Sequence, residues 1–66
     1  MNCCIKRYNE KIERHSYFAR NIGKNINHWV QLRIEAKMFD TIKEAKRIIK
    51  HYKLKNCEVE ICQKKD

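Results

Sequence analysis

Residues 30–52 read VQLRIEAKMFDTIKEAKRIIKHY, a run whose hydrophobic period changes midway. Val30, Leu32, Ile34, Ala36 and Met38 alternate with Gln31, Arg33, Glu35 and Lys37. Alternation with period two predicts a half-buried strand over 30–38. Phe39, Asp40 and Thr41 break the alternation. Thr41 followed three places on by Glu44 is a capping-box pattern, in which each side chain can satisfy the other residue's backbone N–H. From there Ile42, Ala45, Ile48, Ile49 and Tyr52 follow helical spacing and form one apolar stripe. Lys43, Lys46, Arg47, Lys50 and Lys53 fill the adjoining arc of the same wheel. A strand face and a helix face are thus ready to bury each other, with a basic ridge outside.

Residues 3–8 predict a first strand with Cys4 or Ile5 facing in. Residues 9–14 are polar and charged and read as a turn. Tyr17, Phe18 and Ile22 mark a second strand over 16–22. Gly23, Lys24 and Asn25 supply the next turn, with Gly23, the sole glycine, as the candidate for positive φ. A helix capped by Asn9, running through Ile12, Ala19 and Ile22 to Gly23, is the rival reading of residues 9–22. The hairpin is preferred. Trp29 opens the third strand on its polar phase, which predicts an exposed indole of the kind that anchors interfaces. After the helix, Lys55 and Asn56 make a turn. Cys57, Val59 and Ile61 then alternate with Glu58, Glu60 and Cys62 as a fourth strand, and residues 63–66 are a polar tail.

The result is one α+β domain over residues 1–66: a small antiparallel sheet, β-β-β-α-β in chain order, with one amphipathic helix packed on one face. In that packing Ile42, Ala45, Ile48, Ile49 and Tyr52 meet Val30, Leu32, Ile34, Val59 and Ile61. A chain of 66 residues has a marginal core, and pairing of two copies through an open edge strand is a natural supplement.

Sixteen Lys and Arg against eight Asp and Glu give a net charge of +8. That balance points to anionic partners: nucleic acid, a nucleoprotein or an acidic protein surface. No apolar targeting segment or membrane-length run is visible, so the expected location is the cytoplasm, with no membrane partner. In a reducing interior the four cysteines, Cys3, Cys4, Cys57 and Cys62, are expected as free thiols. Cys3 and Cys4 are adjacent, and Cys57 and Cys62 are an odd offset apart, so on strands each pair points to opposite faces. Neither pair has the geometry of a zinc knuckle. No metal or other cofactor is therefore expected.

Enzyme signatures are missing. The chain has no phosphate-cradling glycine loop, no G-x-S-x-G and no H-E-x-x-H. Glu58 and Glu60 share a strand face and read as solvated carboxylates. The positive signal is the ridge of Lys43, Lys46, Arg47, Lys50 and Lys53, with Trp29 as an additional contact residue. Lysine is a point charge, not a planar reader of bases, so such a ridge predicts weakly sequence-specific binding. A second basic group, Lys6, Arg7, Lys11, Arg14 and Arg20, interleaves with Tyr8, Tyr17 and Phe18. Those aromatics read as core first and as base-stacking groups second.

The order Trp29, Ala36-Lys37, Phe39-Asp40-Thr41 and Glu44-Ala45, followed by a basic amphipathic helix and a short Val/Ile/Glu strand, resembles small α+β proteins encoded by phages and mobile elements. Many of those carry a W…A-K-x-F-D-T-x-x-E-A pattern. Ile34-Glu35-Ala36 and Glu44-Ala45-Lys46-Arg47-Ile48 are similar to segments of some very small anti-CRISPR proteins. The likeness covers half the chain and carries no catalytic residue. It implies a curved antiparallel sheet crossed by one helix. It also implies a phage-type inhibitor acting on a host nucleoprotein complex. Direct nucleic-acid binding by an accessory or regulatory protein is the alternative.

Overall fold

The structure, a computed structural model, describes residues 2–24 and 26–62. Asn25 of the expected turn, Met1 and the tail at 63–66 lie outside the described residues. The elements are β1 (Asn2–Asn9), β2 (Arg14–Gly23), β3 (Ile26–Val30), a 3₁₀ turn (Arg33–Glu35), α1 (Ile42–His51) and β4 (Cys57–Cys62). The four strands form one antiparallel sheet in the order β3-β2-β1-β4, and the chain is mixed α+β. Residues 9–22 take the hairpin reading: Asn9 pairs with Arg14, and the Asn9 side-chain carbonyl accepts the Lys11 N–H at 3.0 Å to close the loop.

The alternation over 30–38 does not become a strand. β3 ends at Val30, and Glu35 and Ala36 donate their N–H groups back to Leu32 and Arg33 in a tight turn. Ile34 is left 88% exposed and Leu32 60%, so neither meets the helix, and Ile61 is exposed as well. The reason lies in the sheet. Pairing between β1 and β2 stops at Lys6↔Tyr17, beyond which the two strands separate. Two register shifts in β2 against β3, at Phe18/Arg20 and Asn21/Gly23, belong to the same departure from a flat ladder. The opening exposes the backbone groups of Cys3 and Phe18, both buried residues. Lys37 donates to the Phe18 carbonyl at 2.9 Å, and Phe39 forms a two-way bridge with Cys3. Buried peptide groups must find partners, and residues 37–39 provide them in place of a longer β3.

The core is the cluster Cys3, Ile5, Phe18, Phe39 and Ala45, with Trp29, Ile42, Ile48, Ile49, Tyr52, Leu54, Cys57 and Val59 packed around it. Phe18 stacks on Tyr52 at 6.1 Å between ring centres and meets Trp29 edge-on at 5.9 Å. Trp29 is therefore half-buried, not exposed: its pairing with Phe18 sets its ring beside that residue, on the helix side of the sheet.

Thr41 is the N-cap of α1, its hydroxyl accepting the Glu44 N–H at 3.2 Å. The C-terminus closes at Tyr52. Lys53 adopts φ 53° and donates to the Lys50 carbonyl, while Leu54 donates to Ile49 at 2.9 Å. This is a Schellman closure, with a lysine where glycine is usual. Lys53 thus lies beyond the helix and off the wheel on which the sequence places it. Gly23 does not have positive φ; among the described residues the left-handed ones are Glu13, Lys53 and Asn56. Among the described residues no helix is long and apolar enough to cross a membrane.

Candidate nucleic-acid interface

α1 lays its apolar stripe on β1 and β4 and turns Lys43, Lys46, Arg47 and Lys50 outward. All four are exposed. At 1.5 Å rise per residue the row from Lys43 to Lys50 runs on the order of 10 Å along the surface. None of the four enters an ion pair among the described residues. Their charge is therefore uncommitted, in contrast to Lys6 and Arg33, which are held by Glu60 at 3.2 and 3.5 Å.

A second basic group gathers where the chain leaves the helix. Beyond Lys53, the connection carrying Lys55 and the left-handed Asn56 runs beside the β1–β2 loop. Arg7, Tyr8, Asn9, Glu10, Lys11, Lys55 and Asn56 line an open groove of about 750 Å³ at that end of the sheet. Lys55 from the end of the helix region thereby joins Arg7 and Lys11 from the first hairpin. The pairing of Arg7 with Cys57 brings them together, and sequence spacing alone does not give that register.

Trp29 stands apart from the ridge. It lies on β3, at the opposite edge of the sheet from β4. The Arg7 guanidinium sits 4.0 Å from the centre of its ring, a cation–π contact that holds Arg7 between the core and the groove. Trp29 therefore acts on the basic groove through Arg7 and packs the core with its other edge.

The polar face of β4 is less open than its sequence suggests. Glu60 is not a solvated carboxylate: its two oxygens meet Lys6, Arg33 and the Cys4 thiol. Burial alone pushes the Glu60 carboxyl up, but the hydrogen bonds and charges of Lys6 and Arg33 outweigh it and hold the group below its ordinary value. Glu58 also pairs with Lys6, at 3.6 Å.

The cysteines divide between the faces. Cys3 and Cys57 face the core, while Cys4 and Cys62 meet on the other side with their sulfurs 3.2 Å apart. Burial pushes the Cys4 thiol up to about 12, and the hydrogen bond with Cys62 works in the same direction. Burial likewise raises Cys3 and Cys57. These three thiols stay protonated at neutral pH and lack the thiolate that nucleophilic chemistry needs. The encounter of Cys4 with Cys62 spans nearly the whole chain. The signal for it was the shared phase of Glu60 and Cys62, readable only once β4 is paired with β1.

Comparison with known protein families, curated proteins and solved structures finds no match. The arrangement itself therefore carries the functional reading: a helix whose outward cations make no ion pair among the described residues, and a separate groove lined by Arg7, Lys11 and Lys55.

Proposed function

We propose that this chain is a small non-enzymatic binding protein that docks on a phosphate backbone, bare or displayed by a host nucleoprotein complex. The observation that supports it is the row Lys43, Lys46, Arg47 and Lys50: exposed, on one arc and without an ion pair among the described residues. A solvated helix face on a protein of mixed charge usually carries acids at i±4, which offset its lysines. Here Glu44 is the one acid on the helix, and it makes no ion pair with the row, so the ridge keeps its field. Each phosphate neutralised releases counterions, so four such contacts give a log-affinity against log-salt slope of roughly −3 to −4 on duplex DNA.

Fluorescence anisotropy of labelled single- and double-stranded DNA and RNA, at low and near-physiological salt, tests this. Binding with a steep salt slope is expected. The triple variant Lys46→Glu, Arg47→Glu, Lys50→Glu should abolish it. Unchanged binding by that variant rejects the ridge, and no binding to any nucleic acid at low salt rejects direct docking.

The resemblance to phage-encoded proteins extends the reading to an anti-CRISPR-like inhibitor whose target is such a nucleoprotein. Recovery of a nucleic-acid-processing complex from bacterial lysate is the expected result there, and its loss in the triple variant ties the target to the ridge. Both β3 and β4 are sheet edges, and a homodimer formed through one of them belongs to the same proposal. Light scattering at micromolar concentration decides that point.

A further inference from the structure

We propose that Cys4, Cys62 and Glu60 form a binding site for a thiophilic divalent cation of the zinc class. The three donor atoms lie within 4.8 Å of one another. The Cys4 and Cys62 sulfurs are 3.2 Å apart, and Glu60 Oε2 is 3.9 Å from the Cys4 sulfur. Two thiolates and a carboxylate are three of the four ligands a tetrahedral zinc ion takes, which leaves one position for water or a further ligand.

The backbone register explains why an ion suits this pair better than a direct sulfur–sulfur bond. Cys4 stands opposite Glu60 on β1 and β4, and Asn2 stands opposite Cys62. Cys4 and Cys62 are thus diagonal neighbours. Diagonal positions on paired strands have their Cα atoms about 7–8 Å apart. That lies at or beyond the roughly 7 Å limit at which a disulfide closes without moving backbone. A tetrahedral ion with bonds of about 2.3 Å separates its two sulfurs by a little under 4 Å. The thiols need only a small outward adjustment to reach that distance.

The surroundings match the charge of such a complex. Two thiolates and one carboxylate exceed the ion by one negative charge. Lys6, at 3.2 Å from Glu60 Oε1, and Arg33, at 3.5 Å from Oε2, stand ready to offset it. Lys6 holds one carboxylate oxygen and orients the other toward the sulfurs, the role an outer-shell partner plays at a metal ligand. Cys62 Sγ also lies 3.7 Å from the Glu60 carbonyl. Cys4 is buried, whereas Glu60 and Cys62 are half-buried, so an ion can enter from solvent. On binding, both thiols release their protons to solvent, and no oxidant or reductant is involved.

The test uses the reduced full chain, titrated with cobalt(II) and then with zinc(II). Expected are one cobalt per chain, a thiolate-to-cobalt charge-transfer band, and its displacement by zinc. Cys62→Ser should lose the band. Glu60→Gln should weaken binding about tenfold or more, and Cys57→Ser should keep the band. Cys62 ends an edge strand, so Cys62→Ser is expected to fold, and circular dichroism checks that. Zinc should raise the Tm of the parent chain and leave that of Cys62→Ser unmoved. The proposal is overturned if the parent chain shows no charge-transfer band at stoichiometric cobalt, or if the band survives in Cys62→Ser.

Discussion

Phe39 donates its N–H to the Cys3 carbonyl at 2.7 Å and accepts the Cys3 N–H at 2.9 Å, so a loop residue closes the ladder where β1 and β2 part. The Phe39 ring is buried in the same place, beside Cys3, Ile5 and Ala45. One residue thus pairs the backbone of β1 and fills the core beneath the helix. Phe39→Ala removes the ring and leaves a cavity, which costs about 3–5 kcal/mol in a packed core. A domain of this size has little more than that in reserve. The variant is expected to lose its cooperative thermal transition, and differential scanning calorimetry shows whether it does.

Ile34 and Ile48 have the same side chain and opposite expected sensitivities. Ile34 protrudes from the 3₁₀ turn, so Ile34→Lys should move stability by no more than about 0.5 kcal/mol. Ile48 packs against the core from α1, and Ile48→Asp sets a carboxylate against Phe18, Phe39 and their neighbours. Burying an unpaired charge there should unfold the domain. Urea melts of the two variants measure the contrast. A large loss from Ile34→Lys would restore the strand that the alternation of residues 30–38 predicts.

That alternation marks the limit of what the sequence discloses. α1 was legible because its signals are local: a hydroxyl at Thr41, a carboxylate at Glu44, and apolar residues at helical spacing. β4 was legible for the same reason. Residues 31–38 were not, because period two reports which side chains share a face and says nothing about which backbone groups elsewhere lack partners. The needs of Cys3 and Phe18 set the path of that segment, and both lie far from it in sequence. The ridge residues Lys43, Lys46, Arg47 and Lys50 followed directly from the helix. Lys53 did not, because helix termination depends on backbone closure. The groove cations Arg7 and Lys11 were visible as charges, but their meeting with Lys55 required the β1–β4 register. The exposure expected of Trp29 failed because its phase was read from the alternation of residues 30–38, whereas its face is set by its cross-strand partner Phe18.

Lys53 occupies a left-handed position that costs an L-residue roughly 1–2 kcal/mol relative to ordinary helical backbone and costs glycine almost nothing. Lys53→Gly should therefore raise stability by about 0.5–1 kcal/mol, seen as a higher urea midpoint at unchanged slope. It removes one positive charge next to the ridge, so any nucleic-acid affinity should fall only slightly. A fall as large as that from Lys46→Glu would place Lys53 within the binding surface itself.

Glu60 ties acid stability to the contacts of Lys6 and Arg33. Its folded pKa lies below the ordinary carboxylate value, to which the unfolded chain reverts. The ionised form is thus favoured by folding, and the stabilisation is fully present above the unfolded pKa. It is lost as pH falls through the folded one, where both states carry the proton. Glu60→Gln removes this dependence while keeping the shape of the side chain. The parent chain should be the more stable at neutral pH, and the gap to the variant should close progressively as pH falls through the folded pKa. Added salt should narrow the same gap at neutral pH, because all three groups are partly exposed. Thermal melts across that range, at low and high salt, measure both effects. A gap that stays constant with pH would mean that Lys6 and Arg33 do not hold the Glu60 charge in solution.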